Sequence, residues 1–464
     1  MVLLATAGHA QVTDSPVTTD SVLVADVILI GHKKTRPRII FREMSFGRGD
    51  RMSAEDFTAR LTESYATLMN TGLFASVAIS HSDTLLQPGQ QIVTLNIRET
   101  WYIYPSPEFS LADRNFNVWW REQGRSLDRV NLGGKLTYYN FTGRRDRFKV
   151  GFTTGYTREY EASYNLPYLN KAGTVGVGVD YSFLRRREQN YATRDNRQLF
   201  YNDEDNFVYR NERVNLSLSY RRKLYVTHRL RLGYRNAAIA DTIANTLNRE
   251  FFGGGRNSQR FFRMQYDFSY DRRDVRNYPW KGAFLNLSLA KEGLGITGER
   301  SGLTLGATYR KFWPLSDKYA LNFGLGAKYS FIRSRQPFLE NRAIGFSNNS
   351  LVGYQFYVVD GLDMLIWRAG IRRQLFKTDI DLGKLVFIDA FRYIPIRVLL
   401  ALQFNQGISN SPFTEMDNPL NNTLLTGVSA GVDVVLFYDM VGSLQYNRNH
   451  LGEGAFLLAL RVAF

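Results

Sequence analysis

The sequence predicts a transmembrane antiparallel β-barrel of about sixteen strands, preceded by one small α/β domain. Three observations carry that prediction. The 464 residues contain no run of eighteen apolar residues that crosses a bilayer as a helix. The composition holds 27 Tyr, 32 Phe and 38 Gly at a mean hydropathy of −0.29, as expected of a sheet with one wet face, one lipid face and aromatic belts. The closing stretch alternates, with Phe456, Leu458, Leu460, Val462 and Phe464 on one face and Ala455, Ala459, Arg461 and Ala463 on the other.

A strand in a bilayer cannot leave its backbone groups unpaired. Residues 454–464 are therefore expected to pair with the first strand of the barrel, setting Glu108 and Phe109 across a closing seam from Phe456, Leu458, Leu460, Val462 and Phe464. The small residues Gly454, Ala455, Ala459 and Ala463 make this seam weakly packed. The net charge of +16 is spread through Tyr- and Gly-rich alternating segments and not gathered on one element, which argues against nucleic acid as a partner. Arg and Lys are expected to line a wet lumen and to meet membrane lipid and lipopolysaccharide phosphates at the headgroup level. With no Cys there is neither a disulfide framework nor a thiolate metal site.

Taken in order, residues 1–10 look like a signal-peptide remnant, because Val2 to Ala7 are apolar and Gly8-His9-Ala10 has the small-x-small form of a cleavage site. Residues 11–20 are Thr/Ser/Asp-rich and are expected to be a flexible tail. Residues 21–104 form the α/β domain. Val22 to Ile30 is a strand, Arg36-Pro37 opens a first helix, and Ser53 caps a second whose apolar stripe is Phe57, Leu61, Tyr65 and Leu68. Asn70-Thr-Gly72 ends that helix, and strands follow at Phe74 to His81 and Gln91 to Thr100, joined through Gln87-Pro-Gly89.

Residues 105–464 form the barrel. Leu216 and Leu218 alternate with Ser217 and Ser219, Leu285 and Leu287 with Asn286 and Ser288, and Leu321, Phe323 and Leu325 with Asn322 and Gly324. Long polar connections (189–207, 241–259 and 336–361) alternate with short ones such as Gly143 to Asp146, the asymmetry of a membrane barrel. Counting from a first strand at Glu108 to Trp120 gives an even number, which puts Phe464 at the same end as the α/β domain. That domain is then expected in the periplasm, below the outer membrane of a Gram-negative bacterium.

The amino-terminal order, with Ile30-Gly31, Gly49-Asp50 and Thr71-Gly-Leu-Phe-Ala-Ser-Val77, resembles a POTRA domain. Tyr270-Asp271-Arg272-Arg273-Asp274, followed by Pro279-Trp-Lys-Gly282, resembles the strand end and turn of the BamA/TamA-like outer-membrane assembly superfamily. Leu351-Val352-Gly353-Tyr354 is similar to the Val-Arg-Gly-Tyr motif of that family's sixth outer loop. The chain departs from the pattern at two places. Val352 stands at the loop Arg, and Asn405, in Gln403-Phe-Asn-Gln-Gly407, stands at the acidic partner position. Losing one half of a buried pair costs roughly 3–5 kcal/mol, whereas losing both is nearly neutral. Tyr354, Phe356 and backbone hydrogen bonds are expected to dock the loop instead.

The resemblance implies an insertase or translocase that receives unfolded outer-membrane or secreted clients at strand edges and passes them through the seam, with accessory lipoproteins as further partners. A passive channel or scaffold of the same fold, and a secretion pore for one dedicated partner, are the alternatives. No enzyme activity or cofactor is expected. The five His are scattered without metal spacing, and no Gly-x-Ser-x-Gly elbow or Walker loop occurs.

Overall fold

The computed structural model describes residues 12–13, 21–84, 89–113, 116–203, 205–276, 278–297, 300–346, 349–381, 383, 393–413, 417–436 and 440–461. The expected signal-peptide remnant at 1–10, most of the tail at 11–20, and the seam residues Val462 and Phe464 lie outside them.

The α/β domain contains β1 (Val12–Thr13), β2 (Ser21–Ile30), α1 (Pro37–Arg42), β3 (Arg51–Ser53), α2 (Ala54–Met69), β4 (Phe74–Asp83) and β5 (Gln90–Glu99). Pro37 stands at the first turn of α1, where its missing N–H costs nothing. Ser53 Oγ accepts the Asp56 N–H at 3.1 Å, and Glu55 and Asp56 face the positive end of α2. The five strands lie in the order β1-β4-β5-β2-β3, and Phe57, Leu61 and Leu68 of α2 are fully buried against Val24, Val77 and Leu95 of the sheet.

The barrel strands are β6 (Ile103–Leu111), β7 (Val130–Tyr139), β8 (Arg147–Gly155), β9 (Thr157–Leu166) and β10 (Val175–Arg186). After a hairpin of β11 (Glu188–Arg194) and β12 (Arg197–Asn202) come β13 (Tyr209–Tyr220), β14 (Val226–Ile239), β15 (Ser258–Asp271), β16 (Gly282–Glu292), β17 (Gly302–Pro314) and β18 (Tyr319–Ser330). The short pair β19 (Arg342–Ile344) and β20 (Val359–Asp360) precedes β21 (Asp363–Asp381), β22 (Tyr393–Asn410), β23 (Leu425–Val435), β24 (Val441–Asn449) and β25 (Gly454–Arg461). Sixteen of these form one antiparallel sheet running from β6 to β25. Its apolar side chains point away from the lumen: Leu218 and Leu444 are more than half exposed, whereas Asn405 and Asn447 on the other face are buried. That inversion is the mark of a lipid solvent. Among the described residues no helix is long and apolar enough to cross a membrane.

Three expectations need correction. The first strand is Ile103–Leu111, not Glu108 to Trp120, so the boundary set at residue 104/105 falls inside it; residues 116–121 are a short helix, α3 (Phe116–Arg121). Phe116, Val118 and Trp120 alternate and mimic a strand, but the Phe116 and Trp120 rings gather with Trp119 into an aromatic cluster around one turn, while Val118 is buried. The long connections at 189–207 and 336–361 are not plain loops, since they hold β11–β12 and β19–β20. The expected pairing of the last strand with the first is absent among the described residues.

Candidate functional site

Backbone parity decides what the seam presents. The Tyr139 N–H donates to the Tyr102 carbonyl (2.8 Å) and the Ala112 N–H to the Arg129 carbonyl (2.8 Å). Even-numbered residues of β6 therefore hydrogen-bond to β7, and odd-numbered ones turn their N–H and C=O toward the seam. Two of those odd positions are Pro105 and Pro107, which have no N–H. The seam edge of β6 thus lacks two donors that a ladder to β25 requires. On the other side, the Asn449 N–H donates to the Glu453 carbonyl at 3.0 Å, so Gly454, Phe456 and Leu458 face the seam. One link crosses it among the described residues: Asn117 Nδ2 of α3 donates to the Phe456 carbonyl at 3.0 Å.

The predicted seam residues are distributed accordingly. Phe109, Phe456 and Leu458 are each about two-thirds exposed, on the lipid side. Leu460 belongs to β25 and shares the parity of Leu458. Glu108 turns into the lumen, where Lys135 Nζ lies 2.9 Å from its carboxylate and 3.7 Å from Glu161, and Lys149 lies 2.6 Å from Glu161. It belongs to a charge ladder along β6 to β9 and not to the seam.

The sixth connection, residues 331–362, folds into the lumen. Leu351 and Tyr354 pack with Met364 and Ile366 of β21 and Leu425 of β23. The Tyr354 hydroxyl donates to the Thr426 carbonyl (3.0 Å), accepts the Thr426 N–H (3.1 Å) and meets His450 Nδ1. Asn449 Nδ2 donates to the Gly353 carbonyl at 2.9 Å, and Gly353 adopts φ +82° where a Cβ would lie 2.9 Å from the Arg448 backbone. Val352 sets its carbonyl closest to the wall: a Cβ on Gly427 would lie 2.0 Å from that oxygen and 3.2 Å from Val352 Cγ2. Gly427 is the cross-strand neighbour of Asn405, whose buried Oδ1 has no hydrogen-bond partner among the described residues. Loop motif and partner position therefore come together, without a charge on either. Phe356 sits 5.8 Å from the Arg121 guanidinium of α3. On the far wall Arg235 of β14 donates to Glu340 at 2.9 Å, so the connection spans the lumen. The β11–β12 tip locks it from above: buried Asn196 (φ +56°) accepts the Val358 N–H at 2.7 Å on its carbonyl and donates to Asn421 Oδ1 at 2.9 Å.

The turn motif closes the other end. Arg273 grips Asp271 bidentately (2.7 and 2.8 Å), and Asp274 Oδ1 accepts the Trp280 N–H at 3.0 Å. Gly282 adopts φ +110°, where a Cβ would lie 2.1 Å from the Arg272 carbonyl. Tyr270, one residue before the end of β15, lies opposite Leu285 in the ladder. So braced, the turn reaches across the lumen. The Tyr278 hydroxyl donates to Asp433 of β23 at 2.7 Å, and Arg372 of β21 lies 4.2 Å over the Tyr278 ring and donates to the Pro279 carbonyl at 3.2 Å.

The α/β domain seats on this same end. Glu43, at the close of α1, is buried and takes Arg221 Nη2 at 2.8 Å, Arg145 Nη1 at 3.3 Å and the Tyr168 hydroxyl, each from a different inter-strand turn. Asn70 Nδ2 donates to the Arg273 and Asp274 carbonyls at 3.1 and 2.9 Å. Burial alone would push the Glu43 carboxyl up, but the charge and hydrogen bonds of Arg221 and then the charge of Arg145 bring it down to about 2. Glu43, Asn117 and Asn196 carry no sequence signal, since their partners are remote in the chain. Pro105 and Pro107 do: two prolines spaced by two at the start of an alternating segment are the sequence mark of an edge whose outer side stays unpaired.

A sixteen-stranded sheet with an apolar outer face, a lumen crossed by two connections and an α/β domain seated on one end defines a transmembrane β-barrel of the outer-membrane type. Residues 140–361 match the Omp85 superfamily domain. In fold it is similar to CdiB from Escherichia coli (16% identity over 95% of this chain and 74% of that one, TM-score 0.55). It is also similar to CdiB from Acinetobacter baumannii (13%, 95% and 73%, TM-score 0.51). A BamA from Haemophilus ducreyi lacking POTRA domains 1–3 aligns at 14% identity over 95% and 83%, with a TM-score of 0.49. No curated protein matches the sequence.

Proposed function

We propose that the protein inserts or translocates unfolded protein at the outer membrane by templating client strands on the β6–β25 seam. The observation that carries this reading is the seam, unladdered among the described residues, where Pro105 and Pro107 withhold two donors and Asn117 makes one link. Backbone groups left open toward lipid are costly, and that cost becomes the driving force for accepting another strand. The α/β domain, placed in the periplasm, receives the client first. The edge of β4 already accepts β1 as an added parallel strand, which supports strand addition as the mode of capture. Accessory lipoproteins have the remaining faces of this domain to bind. A lumen crossed by the sixth connection at one end and by the 272–281 turn at the other speaks against an open passive channel.

The chain has no Cys, so paired cysteines introduced along β6 and β25 report the seam cleanly. Cross-linking is expected to abolish insertion of a denatured test barrel into liposomes, and reduction to restore it. Full activity in the cross-linked state sinks the proposal.

A further inference from the structure

At the end of the barrel away from the α/β domain, three arginines stand side by side on the lipid-facing side of adjacent strands. Arg158 of β9 is directly opposite Arg185 of β10, and Arg185 is directly opposite Arg210 of β13. All three share the parity of exposed outward residues, Tyr160 on β9, Val179 and Tyr181 on β10, and Leu216 and Leu218 on β13, and all three are exposed. Like charges directly opposite on paired strands are destabilising, and this rung repeats the penalty twice across roughly 10 Å of sheet.

Little in the protein relieves it. Glu212 lies 3.5 Å from Arg210 and is itself shared with the Tyr181 hydroxyl. Among the described residues no carboxylate pairs with Arg158 or Arg185. Aromatic faces hold the guanidiniums in place instead: Arg185 and Arg210 sit 5.1 and 5.4 Å from the Phe183 ring, and Arg158 sits 5.0 Å from the Phe207 ring. Two residues deeper in the wall, Tyr160 and Phe183 stack across β9 and β10 at 6.4 Å. An aromatic girdle marks the boundary between acyl chains and headgroups, so the rung lies at headgroup height.

We propose that Arg158, Arg185 and Arg210 form a binding site for the phosphates of an outer-leaflet glycolipid, the lipid A part of lipopolysaccharide. Planar guanidiniums match phosphate bidentately, three of them exceed what one Glu neutralises, and the apolar wall below accepts acyl chains. The site's leaflet rests on the periplasmic placement of the α/β domain proposed above, whereas its ligand chemistry does not. Binding is therefore read on purified protein in detergent, independently of insertion activity and orientation.

Native mass spectrometry with bisphosphorylated lipid A is expected to show one retained lipid on the wild-type chain. Arg158→Gln/Arg185→Gln/Arg210→Gln is expected to weaken retention by about tenfold or more, as loss of charge-assisted bidentate contacts predicts. Dephosphorylated lipid A and phosphatidylglycerol are expected to bind the wild type no better than they bind the variant. Arg185→Gln alone, which removes the central charge and both direct oppositions, serves if the triple variant does not fold. It is expected to melt no lower than wild type in lipid-free detergent, yet to lose the stabilisation that lipid A gives. Equal retention of lipid A by wild type and variants, or equal retention of dephosphorylated lipid A or phosphatidylglycerol by the wild type, overturns the assignment.

Discussion

Glu43 shows how one side chain joins two parts of the chain. Its carboxylate is nearly inaccessible and takes Arg221 and Arg145 from turns 178 and 102 residues away. Removing one partner of a buried ion pair leaves the others stranded, so Glu43→Gln is expected to loosen the seating of the α/β domain by about 3 kcal/mol. Limited proteolysis across Thr100–Tyr102, the short link between β5 and β6, measures it. The pH dependence has a definite sign. The folded carboxyl titrates at about 2, below the ordinary value of 4.5 for the free group. Its contribution is therefore fully present above pH ~4.5 and is lost as pH falls toward 2. Wild-type cleavage is expected to rise through that window, and Glu43→Gln to be cleaved readily at pH 7 with a flatter profile. A variant as resistant as wild type at neutral pH refutes the role given to Glu43.

At the scale of elements, β6 is the part whose chemistry is most specific. Pro105→Thr/Pro107→Thr returns two N–H groups to the seam edge and swaps a poor strand former for a good one. At about 1 kcal/mol per hydrogen bond formed, the barrel is expected to melt higher while insertion of a test substrate slows. A variant with unchanged melting and activity shows that the seam does not depend on these donors. Most strands were legible in the sequence because lipid enforces period-2 alternation with the apolar face outward: Leu216, Leu287 and Leu402 each sit where alternation puts them. The α/β order was legible for a different reason, since Pro37, Ser53 and Gly72 are local start and stop signals. The first strand is hard to place from residue pattern because Pro105 and Pro107 fall inside it, whereas Phe116 to Trp120 alternates without being a strand. A residue pattern does not say whether a chain folds inward, so the crossing of the lumen by Tyr278 and Tyr354 was not legible from their motifs.

For the whole molecule the two crossings act in series. The sixth connection closes the distal end, anchored on Thr426, Asn449 and Arg235, and the 272–281 turn closes the α/β-domain end, anchored on Asp433 and Arg372. Flow through stoppers in series is limited by the tighter one, so releasing either alone leaves the lumen shut. Gly427→Val places a side chain where the Val352 carbonyl now lies, with the first carbon already at 2.0 Å, and so drives the sixth connection off the wall. Tyr278→Ala removes the Asp433 hydrogen bond and the Arg372 stack at the other end. In planar bilayers each single variant is expected to conduct about as little as wild type, and the double variant to conduct severalfold more. Full conductance from Gly427→Val alone shows that the turn is no barrier and returns the passive-channel reading to contention. Low conductance from the double variant, with both segments shown by protease to be released, means that a third element, such as the Asn196 hairpin tip, holds the lumen shut. The same recordings separate the two routes: a client that crosses through the seam leaves ion flow in the single variants unchanged during insertion, because its strands never enter the stoppered lumen.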